Sequence, residues 1–230
     1  MSWQLEASRV RAMVWKDLTA ERRSKANFNA VVFFAALTLL LFGFATGPDP
    51  ARQREIAGGI LWLTILFSGV LAFNRSYEQE IDGGALDVLL LYPGERRSIF
   101  LGKLIANLGF VALFELILVP LAVLLYRLPY GNAPFRLTAI LALGTFGFVT
   151  LGTFYAAIAS RVRAREVLLP LLLFPILVPL LVAAVEATSA LLGPAGDVMG
   201  NSGSWIRLLV VFDLIFLVAT LLVFDYVIED

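Results

Sequence analysis

The chain has 230 residues, of which 60% are hydrophobic, and its mean hydropathy is +0.86. Ordinary soluble domains are about 45–50% apolar, so this composition indicates an integral membrane protein. The formal net charge is zero and the sequence contains neither cysteine nor histidine, which excludes disulfides, thiolate metal sites and catalysis by a thiol or an imidazole.

Residues 3–25 precede the first apolar run and carry six Lys and Arg residues. Apolar residues recur there at helical spacing: Trp3, Ala7, Val10, Val14 and Leu18. This pattern predicts an amphipathic helix that lies along the membrane interface. A solvated basic arm is the alternative that the pattern leaves open.

Six later segments are apolar and long enough to cross the hydrocarbon core, which takes about 20 helical residues. They lie at about 28–46, 57–74, 103–126, 137–159, 167–187 and 208–228. Spanning segments must satisfy their own backbone hydrogen bonds in lipid, and the alternating pattern of barrel strands is absent, so all six are predicted helices. We therefore expect an all-α integral membrane fold with residues 1–230 in one transmembrane domain.

The Lys and Arg residues divide unevenly between the two sides of these spans. Thirteen precede the first span or lie in the loops after the second and fourth spans and their helix edges, whereas five lie in the remaining loops. Positively charged loops stay in the cytoplasm. Both termini and residues 77–97 are therefore expected on the cytoplasmic side.

The stretch YEQEIDGGALDVLLLYPGERR, residues 77–97, separates the second and third spans. The second helix can continue to about Ile81, and the two glycines then allow the backbone to turn. A short cytoplasmic helix at 84–92 would place one apolar face together: Leu86, Leu89, Leu90 and Pro93. That face either folds back on its own bundle or the bilayer, or fits a groove on a soluble partner.

The order of residues in this stretch resembles the coupling-helix region of ABC-2-type exporter permeases. The pattern is E-x-x-x-G-x-L-x-x-L-x-x-x-P, followed by Gly102-Lys103 at the start of the next helix. The resemblance implies that the short helix docks on a separate ATPase subunit. The implied contact residues are Glu80, Gly83, Gly84, Leu86, Asp87, Leu89, Leu90, Tyr92 and Pro93.

Three other stretches narrow the resemblance: FFAALTLLLFGFATGP (33–48), GGILWLTILFSGVLAFNRSYEQE (58–80) and LLPLLLFPILVPLLV (168–182). Together they resemble the haem exporter protein B family, the permease subunits of bacterial cytochrome c maturation. The fold implied is that of an ABC-2-type permease with six spans, an amino-terminal interface helix and a coupling helix. Tyr92, where the family pattern has a serine, and the doubled glycine are departures that affect the coupling contacts.

The resemblance also implies the setting of the chain. It implies a multi-pass protein of the bacterial inner membrane that works with a cytoplasmic ATPase, a second copy of itself, a haem-handling membrane subunit and a haem chaperone. It further implies that the partner ATPase uses ATP, and that haem is a transported or handed-over ligand that this chain does not bind as a cofactor. Membrane lipid is the surrounding partner, and nucleic acid is not expected.

No catalytic residues are predicted in this chain. The Gly102-Lys103 pair is not a P-loop, because Arg97 occupies the position of the required first glycine and Leu104 that of the Ser or Thr. A Ser-His-Asp arrangement needs a histidine, which is absent. Any ATP hydrolysis must therefore come from another chain.

Four carboxyl groups lie within the spans. Glu186 and Asp225 are close to span ends, whereas Glu115 and Asp213 lie deeper, where a carboxyl group costs about 3 kcal/mol on insertion scales. Glu115 and Asp213 should therefore face the bundle interior, as part of a pathway or as structural hydrogen-bonding groups. The fifth span contains Pro170, Pro175 and Pro179, which predict kinks that serve gating or form a static bend. Small residues on the fourth span, including Gly144 and Gly147, indicate close helix packing.

Three other functions remain open from the sequence. The first is an ABC-2-type permease for a lipid, glycan or drug, since cargo follows from the resemblance alone. The second is a membrane assembly scaffold without transport. The third is an ion-coupled transporter with Glu115 or Asp213 as the carrier group.

Overall fold

The computed structural model describes residues 2–23, 25–82, 97–129, 134–159, 165–192 and 202–227. All regular structure in these residues is helical, which confirms the predicted all-α fold. The helices are α1 (Ser2–Arg23), α2 (Lys25–Thr46), α3 (Pro50–Asp82), α4 (Arg97–Tyr126), α5 (Pro134–Ala159), α6 (Arg165–Leu192) and α7 (Ser202–Val227).

Six helices of the described chain, α2 to α7, are long and apolar enough to cross a membrane. This agrees with the six predicted spans, although α4 begins at Arg97 and α7 at Ser202, earlier than expected from hydropathy. A helix is free to continue past the hydrocarbon, where polar side chains carry no penalty. The 33 residues of α3 are the clearest case, since a helix of that length measures about 50 Å and the hydrocarbon core about 30 Å.

Helix α5 is at the centre of the bundle and packs against α3, α4, α6 and α7. Helix α3 also packs against α2, α4 and α6, while α1 packs against α4 and the adjoining part of α2. Two glycines allow this close packing, because a Cβ at Gly144 would collide with the ring of Trp62 and one at Gly152 with the ring of Phe73. Both rings come from α3, so α3 and α5 are held at a fixed register.

The bundle has two ends: the end near α1, called the α1 end, and the opposite end, called the far end. At the α1 end, the ring of Phe100 near the start of α4 lies 4.9 Å from that of Phe224 near the end of α7. At the far end, α2 ends at Thr46 and is followed by Gly47, whose φ of 81° suits glycine. Asp49 Oδ1 accepts a 2.9 Å hydrogen bond from the Ala51 amide. This aspartate therefore caps the amino terminus of α3, directly before Pro50 in the first helical position.

The far end also joins α3 to α4. Arg127 directly follows α4 and has a φ of 49°. The Leu128 amide donates a 3.1 Å hydrogen bond back to the Val123 carbonyl, the pattern of a Schellman cap. The side chain of Arg54 donates a 3.1 Å hydrogen bond to the Arg127 carbonyl. The start of α3 and the end of α4 are thereby fixed to each other.

Candidate functional site

The segment expected to contact an ATPase lies outside the described residues. This applies to Gly83, Gly84, Leu86, Asp87, Leu89, Leu90, Tyr92 and Pro93. Glu80 belongs to the last turn of α3, but its side chain is also outside the described set. The assignment of these residues as a coupling surface stays a prediction.

The two helices that hold this segment are described, and their geometry is defined. Phe73 of α3 and Asn107 of α4 contact consecutive residues of α5: Phe73 packs on Gly152, and Asn107 donates a 2.9 Å hydrogen bond to Thr153. Beyond Phe73, α3 continues to Asp82, and α4 begins at Arg97, ten residues before Asn107. Each of these two helix parts extends about 14 Å toward the α1 end. The ends of α3 and α4 that flank this segment in the chain therefore reach a similar height.

Helix α1 docks on the same part of α4. The Lys103 ammonium lies 3.0 Å from Asp17 Oδ2, and the Lys103 side chain is only 1% exposed. One residue earlier, a Cβ at Gly102 would lie 2.7 Å from Met13 Cβ and 3.6 Å from the Val10 carbonyl oxygen. The side of α1 that faces α4 therefore carries Val10, Met13 and Asp17, whereas Leu18 of the predicted apolar stripe is 40% exposed.

Buried polar pairs follow the seam between α4 and α5. Asn107 pairs with Thr153, and the Thr145 hydroxyl donates a hydrogen bond to Glu115. The two pairs are eight residues apart on each helix, and the residue numbers rise along α4 while they fall along α5. This is expected for two antiparallel helices in constant register. Glu115 therefore faces the bundle interior, with a hydrogen-bond donor at its carboxylate.

Asp213 is the second carboxyl group in the middle of the bundle. Its side chain is 5% exposed, and both oxygens are buried without a hydrogen-bond partner among the described residues. It points at the backbone of α5, since a Cβ at Gly147 would collide with Asp213 Oδ1 and lie 2.7 Å from Leu180 Cδ1. Because Thr145 and Gly147 lie on opposite sides of α5, this helix separates the two carboxyl groups.

The three prolines of the fifth predicted span lie within one continuous helix, α6. Pro175 and Pro179 are exposed on the outside of the bundle, and Pro170 is half-buried. The helix is therefore unbroken at all three prolines, and the predicted kinks stay a prediction. Toward the far end, α6 is tied to α3 by a 2.9 Å hydrogen bond from Trp62 Nε1 to the Thr188 hydroxyl.

No group of three His, Cys, Asp or Glu side chains comes together in the described part of the chain. The described residues show helix packing, an ion pair with a buried lysine at the α1 end, and the separate carboxyl groups of Glu115 and Asp213 in the interior.

Comparison with known proteins identifies the family. The model of the CcmB protein family matches residues 8–228, which include all six candidate spans and most of α1. The chain belongs to the CcmB protein family.

Curated relatives of this CcmB-family chain carry the name "Heme exporter protein B". The Rhodobacter capsulatus protein is 32% identical over 177 residues, 77% of this chain and 81% of the relative. The Haemophilus influenzae protein is 31% identical over 178 residues, covering 77% and 80%. The Escherichia coli K12 protein is 32% identical over 183 residues, covering 77% and 82%.

Sequence reasoning identified the family from residues 77–97 and the spans but missed the contact that Gly102-Lys103 makes with α1. It treated Lys103 as one of the cytoplasmic charges, whereas the structure buries it against Asp17. A signal was present, because a lysine within an apolar run needs a counterion and an adjacent glycine permits close approach of another helix. Its partner, 86 residues earlier in the chain, could not be read from local spacing.

Proposed function

We propose that this chain is the membrane permease subunit of an ABC-type haem exporter that acts in cytochrome c biogenesis. The observation that carries the proposal is the CcmB family match over residues 8–228. The name of the relatives, "Heme exporter protein B", and their coverage of most of the chain support the same function. Six candidate spans in the described residues fit a permease.

A separate cytoplasmic ATPase supplies the energy in this proposal, and the chain itself carries no catalytic residues. The ATPase contacts Leu86 and Leu89 of the 84–92 segment and Pro93 directly after it. Support comes from the helical spacing of these residues and from the position of the segment between the projecting ends of α3 and α4. Its movement would act directly on those two helices.

The working unit comprises two copies of this chain and two ATPase subunits in the bacterial inner membrane, with both termini of the permease in the cytoplasm. A haem-handling membrane subunit and a haem chaperone complete the system. The complex either moves haem across the membrane or releases the haem-loaded chaperone, and ATP is consumed by the partner in both cases.

The test is purification of the tagged chain from its native membrane in mild detergent. We expect an ATPase subunit to co-purify with the wild-type chain. Leu86→Asp or Leu89→Asp should abolish this association, because each places a charge on the apolar face proposed for 84–92. Val88→Asp is the matched control, since helical spacing places residue 88 on the opposite side.

The outcomes separate this proposal from its rivals. A chain that purifies without an ATPase and works without ATP would contradict it and favour an ion-coupled transporter. Retention of the ATPase and of function in both leucine variants would favour a scaffold. An ATPase complex whose loss leaves cytochrome c maturation intact would instead indicate a permease for a lipid, glycan or drug.

A further inference from the structure

The ion pair between Asp17 and Lys103 is unusual in its position. It joins α1 to α4 within two helical turns of the start of α4, and its lysine is almost completely buried. Removing two charges from water is costly, and well-packed apolar residues often stabilise such a position as well as an ion pair does. A buried pair is therefore better explained by the fixed geometry that it imposes than by stability.

The neighbouring contact fixes the same two helices by shape. Gly102 has no side chain, and Met13 occupies the space that a Cβ at this position would need. Farther along α4, Gly109 faces Leu18 of α1 at an ordinary distance, with 3.9 Å from a Cβ at 109 to Leu18 Cδ2. Helix α1 therefore follows α4 over about two turns, and the contact beside the ion pair is the closer of these two.

Helix α1 is also linked to the first membrane span. A single residue separates the end of α1 at Arg23 from the start of α2 at Lys25. The first turn of α2 rests on α4 as well, since the rings of Phe28 and Phe110 make an edge-on contact with centroids 5.8 Å apart. A displacement of the start of α4 would thus reach α2 by two routes, through α1 and through direct contact.

We propose that α1 and the amino-terminal turns of α4 move as one rigid unit, with Asp17 and Lys103 as the positioning residues that pass movement of the 83–96 segment to α1 and α2. This inference rests on the proposed function, because it takes that segment to be the place where the ATPase acts. Residues 83–96 lead directly into α4, and Lys103 lies about 10 Å of helix beyond its start.

The first experiment removes the pair from the assembled complex. In Asp17→Asn and in Lys103→Gln, the ATPase should still co-purify, while cytochrome c matured in cells per assembled complex should fall by about tenfold, the size of a typical coupling between two sites. A purely structural contact would lower the amount of complex rather than its activity. The control is Lys16→Gln, since Lys16 lies 3.4 Å from the other Asp17 oxygen but is 46% exposed.

A pair of glycine variants tests the shape contact. Gly102→Ala places a methyl group against Met13 and should reduce activity per complex in the same way. Gly109→Ala adds the same methyl group to the same helix, where it meets only ordinary contact distances, and should keep wild-type activity.

A covalent lock tests rigidity without removing any charge. The native chain contains no cysteine, so Leu18→Cys/Gly109→Cys places two unique thiols between α1 and α4. We expect the oxidised and the reduced complex to be equally active, because the two helices do not separate during the cycle. Loss of activity on oxidation that a reductant restores would overturn the inference.

Full activity of Asp17→Asn and Lys103→Gln in complexes that contain the ATPase would also overturn it, and would leave the proposed function intact. Absence of an ATPase from the wild-type preparation would overturn the proposed function, and the inference with it. If either single variant assembles too poorly to measure, the disulfide between residues 18 and 109 still tests whether α1 and α4 move as one unit.

Discussion

Glu115 of α4 accepts a hydrogen bond from the Thr145 hydroxyl of α5 inside the bundle, where the Glu115 side chain is buried. The same register brings Asn107 to Thr153 two turns away. These side chains join two helices that are otherwise apolar along most of their length, and they fix how one helix is placed along the other.

Thr145→Val removes the donor to Glu115 while keeping the shape of the side chain. We expect it to lower the free energy of unfolding by about 1–2 kcal/mol, the range of hydrogen bonds between membrane helices and of unsatisfied buried groups. Thermal unfolding in detergent is the measurement. Thr138→Val is the control on the same helix, because its exposed hydroxyl bonds only to the Pro134 carbonyl, 2.9 Å away; equal effects of both variants would contradict the prediction.

Gly144→Ala tests the close packing of α3 on α5. The added methyl group would collide with the Trp62 ring, which is 1% exposed and held by its hydrogen bond to Thr188. Overpacking of this kind costs about 1–3 kcal/mol, so the melting temperature should fall. Gly59→Ala serves for comparison, since no packing neighbour lies within 4 Å of its Cβ position and alanine favours a helix. A tolerated Gly144→Ala would show that α5 is not held at this position.

Asp213→Leu replaces a buried carboxyl group by an apolar side chain of nearly the same shape. Both Asp213 oxygens lack a partner among the described residues, and an unpaired buried polar group costs about 1–3 kcal/mol in proteins, so the variant should be more stable by about this amount. We expect it to lose export activity, since ionisable groups inside membrane helices are retained mainly for function.

Glu115→Gln provides the contrast to Asp213→Leu. Glutamine keeps an oxygen that can accept the Thr145 hydrogen bond, so stability and activity should both stay close to wild type. The measurements are thermal unfolding and cytochrome c maturation in cells. If Asp213→Leu is fully active, Asp213 has no part in transport. If Glu115→Gln alone is inactive, Glu115 takes part in transport and Asp213 does not.

Single cysteines test the orientation of the bundle, because the native chain has none. Ser8 of α1 and Ser204 of α7 are exposed at opposite ends of the described bundle. A maleimide that cannot cross the membrane, added outside cells with a permeable outer membrane, should label Ser204→Cys and leave Ser8→Cys unlabelled. The reverse pattern would place the 77–97 segment on the wrong side for a cytoplasmic ATPase.

The membrane-spanning helices could be predicted from the sequence because their causes are local. A helix in lipid must satisfy its own backbone, so length and hydropathy of each run suffice to locate it, as for α2 and α5. The helical span of α1 and the continuation of α3 to Asp82 followed likewise from residue spacing and from the glycines after it.

The pairing of polar groups depended on the tertiary structure. Asp17 meets Lys103, and Thr145 reaches Glu115, whereas Asp213 faces a glycine backbone. These outcomes depend on how far each helix is shifted and rotated relative to helices distant in sequence, and that is decided by which rings fit against which glycines. Hydropathy determined that this protein crosses the membrane with helices. Packing between the helices decided which of the buried polar side chains have a partner.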